Sequence, residues 1–323
     1  MERRVIVEMN NQPLVSVPVI TYNSAKFVLE TLESIKAQTY QNIELIISDD
    51  CSMDNTVEIC QKWVEQNKDR FVRTQIITSE VNTGVSANGN RGRDACQGEW
   101  IKGIAGDDLL TPNCIADCVE YVQQHPNIIY LFGKIEAFGA NEEKNKYFSE
   151  HVFDYSFFNL DIEGQLERLV FEQNCVPAST CFYNRQKAIE LGIRNDERIP
   201  LLEDWPKWIM ILGKRVKLEF MDKVLVLYRI HEKSLSTSSC LSSIRSKESS
   251  ILFDLYYRYP IWQERDKTDA ANRLAKRYVD LYEGFIRMER QYQQIVASRA
   301  YRLGKFILKP FSGLRNVLKC NKR

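Results

Sequence analysis

Three acidic pairs carry the chemistry that this sequence can offer. Asp49 and Asp50 close an apolar run and lead into Cys51-Ser52-Met53-Asp54. Adjacent carboxylates repel each other and a turn needs only one, so this pair suits hydrogen bonds from a base N–H or from ribose hydroxyls. Asp54 stands where it caps the next helix. Asp107-Asp108 follows another apolar run and the flexible Gly106. Two carboxylates there suit a hard divalent cation that takes oxygen ligands and also reaches a substrate diphosphate. Glu203-Asp204 opens a helical pattern, where acids also satisfy the helix dipole. Lys102, inside an apolar strand, either pairs with a site carboxylate or reaches a sheet edge. His231, one of three histidines, ends the run Tyr228-Arg229-Ile230 as a packing or surface group, or as a ligand.

The elements around these pairs alternate. Periodicity predicts strands over 14–21, 43–48, 71–79 and 100–105, and helices over 25–37, 55–67, 86–96 and 112–125. Such alternation implies a parallel sheet with helices on both faces, whose ligands bind beyond the carboxyl ends of the strands. Tyr22-Asn23, Asp49-Asp50, Asn82-Thr83-Gly84 and Gly106-Asp107-Asp108 all fall at that edge. Residues 140–165, polar and then aromatic, read as an inserted loop or lid, whose aromatics over 147–158 either bind acceptor sugar or form a core segment. Residues 176–183 and 224–230 read as strands and 203–212 as a short helix, and from residue 242 the pattern is helical. A Ser/Thr cluster near 236–243 sets the expected division into a body, 1–238, and a helical appendage, 239–323.

Composition narrows the class. With 323 residues, 44% hydrophobic and 27% charged, the chain can bury a sizeable core and is not disordered. The N-terminal residues mix acids with bases and do not read as a secretory signal. No stretch approaches the length of a membrane span. Nine scattered cysteines suit reduced thiols in a cytoplasmic protein. Eight basic residues and no acid follow Arg290 while the whole chain nets +1, so the first 290 residues net −7. An acidic body argues against a nucleic-acid partner, and the basic tail needs an anionic partner of its own.

The motifs resemble those of the family 2 inverting glycosyltransferases of the GT-A fold. The matching stretches are Pro13-Leu14-Val15-Ser16-Val17 with Tyr22-Asn23, Ser34-Ile35-Lys36-Ala37-Gln38-Thr39-Tyr40, and Ile43 through Thr56. Further on come Asn82-Thr83-Gly84-Val85-Ser86 with Asn90, Gly98-Glu99-Trp100-Ile101, Gly106-Asp107-Asp108, Glu203-Asp204-Trp205, and Tyr228-Arg229-Ile230-His231 with Ser234 and Ser236. The resemblance implies that Tyr22 stacks on the base, Asp50 reads uracil and Asp107 lies near the ribose. It further implies that Asp108 holds manganese or magnesium against the diphosphate, joined by His231 from a closing loop. Arg229, Ser234 and Lys102 become diphosphate or loop contacts. Asp204 becomes the general base that deprotonates an acceptor hydroxyl, with Glu203 the weaker candidate. Two departures stand out: Ala105 and Gly106 occupy a place where many relatives carry a further acid, and Gly89 replaces an arginine. Pro18 is also unusual in a central strand.

The tail sets Leu303, Phe306, Ile307, Pro310, Phe311, Leu314, Val317 and Leu318 against Arg302, Lys305, Lys309 and Lys319. A helix with those faces either lies in an anionic membrane surface or packs on the body. The expectation is a GT-A-like α/β enzyme at the inner face of the cell membrane. It would move sugar from a UDP-sugar to a saccharide or lipid-linked acceptor, as in cell-surface polysaccharide synthesis. Two rivals stay open, a sugar-phosphate nucleotidyltransferase and a non-catalytic protein of the membrane surface.

Overall fold

The computed structural model describes residues 12–199, 202–231, 250, 252–258, 260, 261 and 279. Ser234, the division expected at 238/239, the helical pattern over 270–299 and the basic tail over 299–323 lie outside the described residues, Val279 apart. Contacts divide the chain into two compact units, Met1–Ile261 and Trp262–Arg323. The first unit therefore continues past the Ser-rich segment, and the fold and site described below belong to it. None of the described helices is long and apolar enough to cross a membrane.

The first half follows the expected alternation. Strands β1 (Val15–Thr21), β2 (Ile43–Asp49) and β3 (Arg73–Thr78) pair in parallel, and β1 is flanked on its other edge by β4 (Trp100–Lys102) and β5 (Ile104–Ala105). Helices α1 (Val28–Lys36), α2 (Thr56–Asn67) and α3 (Val85–Asp94) connect them. α1 buries Val28, Thr31, Leu32 and Ile35, one face at helical spacing. α3 instead buries Ser86, Asn88, Asn90 and Gly92. The N–H of Val15 and the carbonyl of Thr21 face β2, so Pro18, an odd number of residues from each, faces β4 and β5. There Gly103 interrupts the expected single strand, and pairing passes from Ser16–Ile101 to Val19–Ile104. The proline nitrogen meets a gap in the ladder, which resolves its place in a central strand.

The second half departs from the expected parallel sheet. β6 (Leu109–Leu110), α4 (Cys114–Gln124), β7 (Tyr130–Phe138), α5 (Glu142–His151), α6 (Ile162–Phe171), β8 (Phe182–Asn184), α7 (Arg185–Glu190), α8 (Trp205–Gly213) and β9 (Leu218–Arg229) follow in order. The sheet runs β3-β2-β1-β4-β8-β7-β9-β6, with β8 antiparallel to both neighbours and β6 antiparallel to β9. Two helical passes lie between β7 and β8, and an even number of passes returns the chain reversed. A one-helix crossover would have kept it parallel.

Residues 140–165 are not a lid. They form α5, a short 3-10 turn (Tyr155–Asn159) and the start of α6, with Phe158 buried against Phe132 and Phe220 and Phe157 buried edge-on against Phe158. Nor is 176–183 one strand. Thr180 folds back through its N–H and hydroxyl onto the Pro177 carbonyl, at 3.0 and 2.8 Å, so a 3-10 turn (Ala178–Thr180) precedes the three-residue β8. Cys114 and Cys118 sit on the buried face of α4 with Ile115, Val119 and Val122.

Candidate active site at the carboxyl edge of the sheet

Asp50 follows β2 directly, at a tight turn in which Cys51 takes a φ of 64°. Its carboxylate is 2% exposed and accepts four hydrogen bonds. They come from the Thr83 N–H (2.9 Å), the Thr83 hydroxyl (2.6 Å), the Gly84 N–H (2.7 Å) and Arg91 Nη2 (2.9 Å). Burial pushes this carboxyl up, but the four donors outweigh burial and hold it below the usual range. Asp50 thus fixes the 82–84 loop, the wall facing β2. Asp49 accepts from the Thr21 hydroxyl and from the N–H and hydroxyl of Ser52, which pins the end of β1 to the same turn. Asp54, one residue before the Asn55 N-cap, accepts the first N–H of α2 from Thr56 at 3.0 Å and also the Ala25 N–H at 3.2 Å, so it ties the start of α2 to the loop after β1. From that loop Tyr22 stands half exposed.

The next strand brings four of the expected residues together. Asp108 is 2% exposed; its Oδ1 accepts the Arg229 N–H at 2.9 Å, and its carbonyl takes the Thr31 hydroxyl at 2.8 Å. Burial, and then the neighbouring charge of Asp107, push the Asp108 carboxyl up to about 8. Asp107 is the more open acid: its Oδ2 lies 2.9 Å from His231 Nε2, and its carbonyl takes Arg229 Nε at 2.7 Å. Arg229 continues to Glu30 at 2.9 Å, with its guanidinium over the rings of Phe27 and Phe138. His231 therefore sits on Asp107 rather than on Asp108, and Arg229 latches the end of β9 to both acids.

Lys102 follows neither expected course. It is fully buried, and its Nζ donates to the carbonyls of Gly103 (3.0 Å) and Ser179 (2.6 Å). It cannot touch a diphosphate from there. It does make a loop contact, tying β4 to the turn before β8, and its charge favours the ionised form of Asp108.

Asp204 is the N-cap of α8. Its Oδ1 accepts the Trp205 N–H at 2.8 Å and its Oδ2 accepts Asn174 Nδ2 at 2.7 Å. Two partners leave each oxygen a further lone pair, so the capping and the proton-accepting readings are compatible. Glu203 beside it is pushed up to about 7 by burial and by the charge of Asp204. Ser86, Asn90 and Arg93 of α3 hold the 193–199 segment that leads to this pair through the Ile199 carbonyl, the Asn195 carbonyl and the Ile193 carbonyl. At Gly89 a Cβ would fall 2.7 Å from Asn195 Nδ2. The Asn195 amide would have to turn aside to admit the arginine that the resemblance places there.

Residues 16–192 match the family model described as glycosyl transferase family 2. The chain belongs to that family. Among curated relatives it resembles, glycosyltransferase GlyG of Streptococcus pneumoniae serotype 4 is 37% identical over 111 residues, 34% of this chain and 36% of GlyG. The colanic acid biosynthesis glycosyl transferase WcaA of Escherichia coli K12, a putative assignment by its own description, is 34% identical over 124 residues, 38% of this chain and 43% of WcaA. The chain thus spans well under half the length of these two relatives. Its fold is similar to that of S. aureus TarS in complex with UDP-GlcNAc, with a TM-score of 0.56, 16% identity and coverage of 81% of this chain and 78% of that one. At that identity the likeness carries the GT-A-like fold, a sheet with flanking helices.

Arg91, Asn174 and Glu30 are the site residues that pattern reading does not single out. Arg91 had a signal, a basic residue two helical turns beyond the Asn82-Thr83-Gly84 loop. Asn174 had none, because its partner Asp204 is thirty residues away.

Proposed function

We propose that this protein is an inverting glycosyltransferase that moves a sugar from a UDP-sugar to a saccharide or lipid-linked acceptor in cell-surface polysaccharide synthesis. The observation that carries the reading is the Asp107–His231–Arg229–Asp108 cluster at the carboxyl edge, in the same compact unit as Asp204, whose oxygens keep lone pairs for a proton. Tyr22 offers a half-exposed ring to the base, the loop fixed by Asp50 walls the base pocket, and Asp107 faces the ribose. Asp204 takes the proton of the acceptor hydroxyl as its oxygen forms a bond to C1. The bond from C1 to the phosphate oxygen breaks on the opposite face, and the nucleoside diphosphate leaves. The descriptions of WcaA and of the UDP-GlcNAc complex of TarS support the class of pathway and donor.

The donor set also suits a divalent cation. A buried acid pushed up to about 8 is one that gains from a nearby positive charge. Asp107 and His231 lie at 2.9 Å from each other beside it, although no cluster of three such side chains forms among the described residues. Asp108 and His231, with Asp107, would hold manganese or magnesium, which would neutralise charge developing on the departing diphosphate.

Thermal melting of the full chain with UDP, GDP, TDP or CMP, each with and without manganese, tests the reading. A UDP-specific rise that needs manganese and disappears in Asp108→Ala is expected, because a ligand that binds only the folded state raises the midpoint. Release of UDP from a UDP-sugar, with an inverted anomer by NMR, completes it. Release of pyrophosphate would point to a nucleotidyltransferase, and no shift with any nucleotide would leave a non-catalytic membrane-surface protein.

A further inference from the structure

We propose that Arg258, in the C-terminal part of the first unit, is a positioning residue that sets the carboxylate of Asp204. The inference rests on the reading of Asp204 as general base given above. Two segments fix that carboxylate: Asn174, which donates to one oxygen, and the Trp205 N–H, which donates to the other. Arg258 holds both segments. Its Nη2 donates to the carbonyls of Glu172 (3.0 Å) and Leu169 (3.4 Å), and its guanidinium lies over the Trp205 ring, 4.5 Å from the centroid.

The two grips meet at one atom. Trp205 Nε1 donates to the same Leu169 carbonyl at 3.0 Å, and the Phe253 ring packs on the indole from 4.6 Å. Leu169 belongs to the last turn of α6 and Glu172 is its C-cap. The carbonyls there have no helical partner, and a cation is favoured beside them. Two residues after Glu172 comes Asn174, whose Oδ1 accepts the Val176 N–H at 3.1 Å, so its Nδ2 is the end turned to Asp204.

Arg258 is 5% exposed and paired with Asp254, 2% exposed, at 3.2 Å. A buried ion pair is a poor device for stability alone, since apolar residues of similar volume do as well. A planar cation does what they cannot, gripping two carbonyls and an indole face at once. The proposal thus gives the segment over Asp254–Arg258, beyond the residues that match the family model, a share in the chemistry.

The double variant Asp254→Asn/Arg258→Met tests it without leaving a buried carboxylate unpaired, beside Arg258→Lys and Asp204→Asn, all in the full chain. Three measurements are made: the UDP-induced rise in melting midpoint, deuterium uptake by peptides, and UDP release from UDP-glucose, UDP-galactose and UDP-N-acetylglucosamine. In the double variant uptake should rise over 172–176 and 204–208 but not over β1–β3. The UDP shift should persist, and kcat for UDP release should fall about 30-fold at unchanged donor KM, since misplacing a reacting group costs rate rather than donor binding. Arg258→Lys should recover part of kcat, because a cation still reaches the carbonyls.

Unchanged uptake and kcat in the double variant would overturn the proposal. So would a loss confined to donor KM, or loss of the UDP shift itself. Parental kcat in Asp204→Asn, or no UDP release from any of the three sugars by the parent, would overturn the reading of the base instead. The uptake over 172–176 and 204–208 would then still decide whether Arg258 holds those segments.

Discussion

Glu203 and Asp204 are neighbours in the chain and differ in what surrounds their oxygens. Asp204 has a donor on each oxygen, from Trp205 and Asn174, whereas Glu203 is pushed up to about 7 by burial and by Asp204. That asymmetry has a thermodynamic sign. A carboxyl whose folded value lies above its unfolded one favours folding most below the unfolded value, near 4.5, and that contribution is lost as pH rises to about 7. Glu203→Gln keeps the neutral form at all pH. Chemical denaturation should find it as stable as the parent near pH 4 and about 2 kcal/mol more stable at pH 8. Equal stability at both pH values would mean that Glu203 ionises freely in the folded state. If Asp204 alone is the base, Glu203→Gln also keeps most of its UDP-releasing activity, so one variant separates the two acids.

Among the elements, β7 and β9 are the pair on which the site most depends, because β9 delivers Arg229 and His231 to the acids after β5. Gly133 lets them close: a Cβ there would fall 2.6 Å from the side chain of fully buried Leu225 and 2.9 Å from the Lys223 carbonyl. Gly133→Ala should cost about 2 kcal/mol by overpacking, lowering the melting midpoint on the order of 5 °C. Gly213→Ala is the control with opposite sign. Nothing lies within 4 Å of its Cβ and it ends α8, so the change should be neutral or raise the midpoint. Gly133 also bears on how far the fold was legible. β1 and β2 announce themselves as short, mainly apolar runs buried on both faces, and α1 as one buried face at helical spacing. In β7, Gly133 adjoins register shifts at Lys134; period-two alternation begins only after it, and no strand is expected there. The aromatic run over 147–158 reads equally as an acceptor-binding insert or as core, because nothing local says that Phe158 faces Phe132 and Phe220 with Phe157 packed on it. At the site, acids that follow a strand are legible, since position in the chain sets position at the edge. Their partners Asn174 and Arg258 are not, because hydrogen bonds over 30 to 90 residues leave no mark on local pattern.

At the scale of the molecule, charge is divided by position along the chain. Residues 1–290 net −7 and the residues after 290 net +8 with no acid among them. A body of that sign is repelled by an anionic surface, and an enzyme that takes a lipid-linked acceptor has to work beside one. The proposed answer lies in 299–323, where cations alternate with Leu303, Phe306, Ile307, Phe311, Leu314 and Leu318. Each basic residue near an anionic surface contributes about 1 kcal/mol, and the attraction falls off within a Debye length. The full chain should therefore co-sediment with vesicles containing phosphatidylglycerol and not with phosphatidylcholine alone. Replacing Arg302, Lys305 and Lys309 by Gln should weaken that binding about a hundredfold, from three contributions of about 1 kcal/mol each. Salt at 1 M should do much the same to the parent by cutting the screening length to about 3 Å. The apolar residues stay in place in the triple variant, so binding that survives both treatments would assign the partition to the apolar face. Equal binding to both lipids by the parent would remove the electrostatic argument, and no binding to either would return the tail to a contact within the protein.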